Sequence, residues 1–228
     1  MLRTNNNNIK RELINSHLQG CKDILDMGFG RGGDLPKYKP LNVSSIVGID
    51  PDEASLNESL GRAKNLGMSD ILTVRHGSTN KIHPDERYDA IVCNFAFHYF
   101  FEHEKFLNGI LETIHTILKP GGKFIGVVPD AVKVLNATAK SGGKYVDKEK
   151  NMVCRGTGQI GWGGFNEMVS FSVQGPFYDG KPKPEPLCYM DTLISQATKH
   201  GLKPVDIGDV SKDPESLSHV YTWFVFTV

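Results

Sequence analysis

Along the chain, short runs that are apolar throughout alternate with longer stretches whose apolar residues recur every three or four positions. The first long stretch, IKRELINSHLQ at 9–19, places Ile9, Leu13, Ile14 and Leu18 on one side and predicts an amphipathic helix. Five apolar runs follow, at 23–27 (DILDM), 45–50 (SIVGID), 71–75 (ILTVR), 89–95 (DAIVCNF) and 123–128 (KFIGVV). Each has the length and composition of a strand buried on both faces. Helical stretches at 52–66 and 103–118 lie between them, the second running into Lys119-Pro120-Gly121-Gly122, a cation followed by breakers. Strand–helix alternation of this kind predicts an α/β fold with a doubly wound, mainly parallel sheet. Right-handed crossovers then set the carboxyl ends of the strands along one rim, where ligands bind.

The pattern changes after residue 130. Residues 139–187 are rich in Gly, Lys and Pro, with strand-like alternation at 168–173 and four of the chain's twelve prolines within 176–186. This predicts an insertion or lid over the rim of a single domain, 1–228, rather than a second domain. A helix at 188–200 and a strand at 220–227 (VYTWFVFT) return to the core.

Composition narrows the function classes. With 26 basic and 26 acidic side chains in 228 residues, the formal charge is zero. That argues against gripping a long nucleic acid by counterion release, but leaves room for a small anion held by a few local cations. No run approaches the roughly 20 apolar residues of a membrane span, and the polar start MLRTNNNNIK does not read as a signal peptide. Cys21, Cys93, Cys154 and Cys188 and the eight histidines show no metal-ligand spacing, so reduced thiols in the cytoplasm or nucleus, and no metal, are expected.

The chemistry concentrates in Asp26-Met27-Gly28-Phe29-Gly30-Arg31-Gly32-Gly33-Asp34, directly after a predicted strand. Glycines there allow a tight turn and let backbone amides approach a ligand. Asp50 ends the next strand, 22 residues after Gly28, where a carboxylate can accept both ribose hydroxyls. A nucleoside cofactor is implied. A dinucleotide site shares these glycines, but three features favour S-adenosylmethionine. Asp26 stands two residues before the first glycine, a Pro-Gly-Gly turn precedes the fifth strand, and too little chain remains for a dehydrogenase's substrate domain.

Dispersed motifs then carry a family resemblance. They are Asn6-Asn7-Asn8-Ile9-Lys10; Gly32-Gly33-Asp34-Leu35-Pro36-Lys37-Tyr38; Asn94-Phe95-Ala96-Phe97-His98-Tyr99; Pro120-Gly121-Gly122-Lys123-Phe124-Ile125-Gly126; Pro184-Glu185; and Tyr221 in the closing strand. In this order they resemble the messenger-RNA cap (guanine-N7) methyltransferases over nearly the whole chain. In brevity and divergence the chain looks like the methyltransferase module of a large DNA virus's multifunctional capping enzyme. The chain departs from the family at Phe29, where cysteine is common, and at Asn8, where tryptophan is usual. It also has His76-Gly77-Ser78 where the family has an acid after its third strand.

The resemblance implies a seven-stranded class I methyltransferase sheet and transfer of a methyl group from S-adenosylmethionine to N7 of the capping guanosine. The guanine N7 lone pair is unprotonated at neutral pH, so no general base and no catalytic side chain in that sense is expected. It implies donor contacts from Lys10, Asp26, Gly28, Gly30, Asp50, Ser78, Asn94 and Tyr99. It implies cap contacts from Asn6, Asn7, Arg31, Lys37, Arg62, His98, Glu185 and Tyr221, with Glu185 and His98 reading the guanine edge and Arg31, Lys37 and Arg62 facing the phosphate bridge. Arg62 also reads as a plain helix-surface charge, and the lysines of 139–155 as a solvated loop face. Of the aromatic run at 95–101, Tyr99 is expected to face the ligand. The expected partners are a capped RNA 5′ end, triphosphatase and guanylyltransferase domains on the same polypeptide, and a stimulatory subunit. If the chain is viral, its place is a cytoplasmic replication site or a virion. Other readings are a methyltransferase for another small nucleophile, or a catalytically silent RNA-binding subunit.

Overall fold

The computed structural model describes residues 2–155, 164–173 and 181–228. In chain order it runs α1 (Leu2–His17), β1 (Asp23–Met27), α2 (Leu35–Tyr38), β2 (Ser45–Asp50), α3 (Glu53–Leu66), β3 (Leu72–His76), β4 (Tyr88–Asn94), α4 (Glu104–Ile117), β5 (Leu118–Pro129) and α5 (Ala131–Lys140). There follow β6 (Lys144–Val146), β7 (Met152–Arg155), β8 (Met168–Ser172), β9 (Lys183–Pro186), α6 (Met190–Lys199), β10 (Lys203–Asp209) and β11 (Tyr221–Thr227).

Seven strands form one sheet in the order β10-β11-β5-β4-β1-β2-β3. The five apolar runs read from the sequence are its parallel strands β1 to β5, while β11 runs antiparallel to both β5 and β10. Successive side chains of a strand point to opposite faces. Ile24 and Ile46 therefore enter a core shared with α1, α3 and α5, and Leu25 and Val47 enter one shared with α4 and α6. Helix α4 buries Leu107, Ile110, Leu111, Ile114 and Ile117 on one stripe, each such side chain contributing roughly 1.5–3 kcal/mol. Helix α3 starts where Asp52 accepts a hydrogen bond from the Ala54 amide at 3.1 Å and stops at Gly67, with φ of 68°.

Several elements differ from the sequence expectation. Helix α1 begins at Leu2 rather than residue 9, because the asparagine run continues the helix that Leu2, Leu13 and Ile14 anchor. Lys119-Pro120-Gly121-Gly122 is a bulge near the start of β5, where the pairing with β4 jumps from Tyr88–Leu118 to Ala90–Lys123. The insertion holds a second sheet, β6-β7-β8-β9, antiparallel throughout, instead of a single strand-like stretch. Its parts at 156–163 and 174–180 lie outside the described residues. Just beyond β9 the chain rejoins the end of β5: the Cys188 amide donates to the Pro129 carbonyl at 3.1 Å, and the Ala131 amide to the Cys188 carbonyl at 2.9 Å. Among the described residues no helix is long and apolar enough to cross a membrane.

Candidate active site

The glycine loop leaves β1 and folds back over the end of β2. The amides of Gly28 and Phe29 both donate to the Ile49 carbonyl, at 2.9 and 3.1 Å. Gly28 has φ of +73°, and a methyl group there would meet the Ala96 Cβ at 2.3 Å, so glycine is required by conformation and by space. The Gly30 amide donates to Asp50 Oδ2 at 2.7 Å, and the Asp52 amide to Asp50 Oδ1 at 2.8 Å. Asp50 is thus aimed by two backbone groups at the mouth of β2, the position required to hold a ribose.

Beneath the loop lies a buried acidic pair with opposite fates. Asp26 accepts a hydrogen bond from the Tyr38 hydroxyl at 2.7 Å. Burial and the neighbouring Asp34 push its carboxyl up to about 8, against the lowering effects of Tyr38 and Lys10. Burial alone would raise Asp34 as well, but Lys10 and Lys37 outweigh it and hold that carboxyl at about 2. Lys10 Nζ sits 2.7 Å and Lys37 Nζ 2.8 Å from Asp34 Oδ1. Two ammonium groups on one carboxylate leave a surplus positive charge at the pocket wall, which suits an added carboxylate.

Asn94, at the end of β4, donates from Nδ2 to Asp34 Oδ2 at 3.0 Å. Its Oδ1 is buried and has no hydrogen-bond partner among the described residues, an orphaned acceptor of the kind that a ligand ammonium satisfies. Next to it Phe95 has φ of +58°, a strained conformation for an aromatic residue. Its ring packs edge-on against Tyr221, with centroids 5.2 Å apart, and lies 5.8 Å below Lys10 Nζ.

The residues expected to read the guanine edge come together between the turn after β4 and strand β9. His98, in the 3-10 turn Phe97–Glu102, is 2% exposed, and its Nε2 lies 3.2 Å from Glu185 Oε2 on β9. Neither ring nitrogen of His98 makes a hydrogen bond among the described residues. Tyr99 lies against His98 with ring centroids 4.4 Å apart. Burial, then the charges of Glu185 and Tyr99, holds the Tyr221 hydroxyl well above its ordinary value, so it stays a neutral donor beside Glu185.

A cavity of about 650 Å³ opens beside the glycine loop. The ends of β1, β2 and β4 floor it through Met27, Ile49 and Cys93; Pro51, Gly77, Ser78 and Asn80 form one wall, and Tyr99 with α4 the other. Ser78 lies at this wall beside Asn80, and its amide donates to Asn80 Oδ1 at 3.1 Å.

The remaining expected contacts divide. Arg31 is half exposed and 3.4 Å from Glu58. Arg62 is exposed, with its guanidinium 4.0 Å from where a Gly33 side chain would begin. Lys37, expected at the phosphate bridge, is 5% exposed, and its ammonium donates to Gly33 O, Asp34 Oδ1 and Asn7 Oδ1. Asn6 Oδ1 accepts from Ser218 Oγ at 3.0 Å, so both asparagine oxygens tie α1 to the pocket wall. Two residues had no assigned role in the sequence reading. Asp34 stood in a quoted motif, though a loop acid gives no sign that it gathers two lysines. Phe95 stood in the aromatic run, and its left-handed backbone is invisible in sequence.

Residues 1–152 match the family described as the mRNA (guanine-N(7))-methyltransferase domain, the larger part of the 228-residue chain. The chain belongs to that family. Among curated relatives it is 31% identical over 203 residues to the mRNA cap guanine-N(7) methyltransferase of Candida glabrata, covering 84% of this chain and 46% of the relative. It is 33% identical over 141 residues to the protein of the same name in Saccharomyces cerevisiae, covering 57% of this chain and 32% of the relative. The chain therefore spans less than half the length of these two family members. Among solved structures, the CcbJ methyltransferase of Streptomyces caelestis has a TM-score of 0.71 at 15% identity, covering 98% of this chain and 95% of that one. An S-adenosylmethionine-dependent methyltransferase from Clostridium acetobutylicum has 0.67 at 16%, covering 100% and 92%. The fold is that of S-adenosylmethionine-dependent methyltransferases, and the family match spans the resemblance motifs from Asn6 to Gly126, while Pro184-Glu185 and Tyr221 lie beyond it.

Proposed function

We propose that the protein methylates N7 of the guanosine cap of RNA, with S-adenosylmethionine as donor. The observation that carries this reading is the buried pair His98 and Glu185, 3.2 Å apart, next to Tyr99 at the cavity wall, in a chain of the cap methyltransferase family. The donor supplies an electrophilic methyl on sulfur, and the acceptor nitrogen has a free lone pair, so the chemistry requires alignment rather than proton transfer.

Lys10 and Asn94 Oδ1 suit the two charged groups of the donor's amino-acid end, with Asp34 fixing both side chains. Asp50 suits the ribose hydroxyls, Gly28 and Gly30 let the backbone come close, and Ser78 with Asn80 borders the base. Asp26 supports the loop from below and holds Tyr38.

On the acceptor side, Glu185 can accept from the guanine ring N–H and exocyclic amine, a pattern that adenine lacks. His98 can donate to the guanine O6. Phe95 and Tyr221 wall the base, while Arg31 and Arg62 flank the route to the phosphate bridge, with Asn6 and Asn7 offering amide donors. A buried carboxylate left unpaired by the wrong base is costly, so such a site discriminates strongly.

The steps that make the unmethylated cap, γ-phosphate removal and guanylyl transfer, belong in this reading to other domains or proteins, and a stimulatory subunit is compatible with it. The four free cysteines suit the reducing cytoplasm or nucleus. Labelled methyl transfer to GpppRNA, with ApppRNA as control, tests the proposal. Transfer to the first alone is expected, and none to GpppRNA despite measurable donor binding overturns it. Glu185→Ala should lower transfer about 100-fold or more and leave donor binding near normal.

A further inference from the structure

The cavity beside the glycine loop is larger than the part of the donor that enters it. At about 650 Å³ it lies in the range of roughly 300–1,000 Å³ that buries a whole drug-sized ligand. Lys10, Asp34 and Asn94, which suit the donor's amino-acid end, are not among its lining residues, nor is Asp50, whose neighbours Ile49 and Pro51 are; on the donor reading the base therefore enters it and the amino-acid end stays outside. Its outer wall is one face of α4: Lys105, Gly109 and Thr113 at successive i, i+4 positions, flanked by Phe106 and Ile110. Gly109 stands at the centre of that face, and a side chain added there meets nothing within 4 Å. Glycine inside a helix lowers its stability relative to alanine, and no neighbour requires it here. Gly61 in α3 has equally open space but does not line this cavity. What the missing side chain at 109 preserves is the width of the slot.

We propose that this wing of the slot is a subsite for a substituent on the donor's adenine, one that takes an apolar or aromatic group at the exocyclic nitrogen. The inference rests on the donor reading given above. With the ribose at Asp50, the glycosidic bond directs the base away from that carboxylate, between Ser78 and Asn80 on one side and α4 on the other. The base edge opposite the glycosidic bond carries the exocyclic nitrogen, so that edge faces the outer slot. The wing is lined by Phe100, Phe106 and Ile110, with Lys105 Nζ 5.1 Å from the Phe106 ring centre at its rim. Apolar walls with one cation at the mouth suit a benzyl-sized group.

Titration calorimetry with S-adenosylhomocysteine and its N6-benzyl derivative tests this on the whole chain. The unaltered protein is expected to bind the two within tenfold of each other. Gly109→Leu should keep S-adenosylhomocysteine within threefold and weaken the benzyl derivative more than tenfold. If that variant fails to fold, Thr113→Met on the same face should show the same selective loss. A benzyl derivative bound more than tenfold weaker by the unaltered protein overturns the subsite, as does an equal loss of both ligands in the variant. Absence of any binding of S-adenosylhomocysteine instead overturns the donor reading on which the subsite rests.

Discussion

Asn94 donates a hydrogen bond to Asp34 across 60 residues of sequence, at 3.0 Å, while its own carbonyl oxygen is buried and finds no partner among the described residues. The end of β4 and the glycine loop are locked together through this contact, and the same carboxylate holds Lys10 and Lys37. One side chain therefore sets the orientation of an amide and of a cation that arrive from different ends of the fold.

Removing that carboxylate strands two lysines in a largely dry wall. Asp34→Ala should destabilise the protein by on the order of 3 kcal/mol, the usual penalty for breaking a buried ion pair, and weaken donor binding as Lys10 and Asn94 lose their anchor. Denaturant unfolding and donor calorimetry read the two effects, and an unchanged midpoint would refute the anchoring role. The carboxyl sits at about 2 in the folded protein, below its unfolded value. Its stabilisation is thus complete above the unfolded value and lost as pH falls through about 2, and the variant should lack that acid-side loss.

Asp26 predicts the opposite slope. Burial first, then the charge of Asp34, lifts it to about 8, so between its unfolded value and about 8 the folded state holds a proton that the unfolded state has released. Stability contributed by this group falls as pH rises through that window. Asp26→Asn keeps an acceptor for the Tyr38 hydroxyl and cannot ionise. Melting curves from pH 5 to 9 should slope less for the variant than for the unaltered protein, and parallel slopes would show that Asp26 does not titrate there.

Gly28→Ala should be severe. The added methyl group would fall 2.3 Å from Ala96 Cβ on a backbone at φ of +73°, and strain plus overpacking together cost roughly 2–5 kcal/mol. Thermal unfolding and donor affinity should both drop, and a variant as stable as the parent would mean that the loop relaxes freely.

Gly109→Ala, by contrast, should stabilise. Its methyl group meets nothing within 4 Å, and alanine gains about 1 kcal/mol over glycine inside a helix, which raises the melting temperature by roughly 2–4 °C for a chain of this size. A lower melting temperature would show that the backbone at this position needs glycine.

The central sheet was legible because strands buried on both faces must be apolar throughout, as SIVGID and DAIVCNF are. Strand β10 was not: KPVDIGD carries proline, two aspartates and glycine, and as an edge strand it leaves Val205 and Ile207 exposed. The second sheet escaped for a related reason, since β6 and β9 are three and four residues long and include lysine and proline. Around the candidate site, the placing of Asp50 at the end of β2 and of His98 just beyond β4 was readable from motif position. The burial of Lys37 was not, because a lysine after a glycine loop looks like a solvated cation until Asn7 and Asp34 are brought around it by the fold.

The splice between Pro129 and Cys188 bears on how such a molecule is assembled. The segment from 131 to 187 leaves the large sheet and rejoins it at hydrogen-bonded neighbours, so its two ends occupy almost one spot, the geometry in which insertions are best tolerated. It carries Glu185, whereas His98 belongs to the seven-stranded frame. In the proposed reading, acceptor choice is thus divided between a residue of the frame and one of the excursion, so one frame could be turned to different acceptors by exchanging the part of the excursion beyond α5, a helix that itself packs in the core under the large sheet.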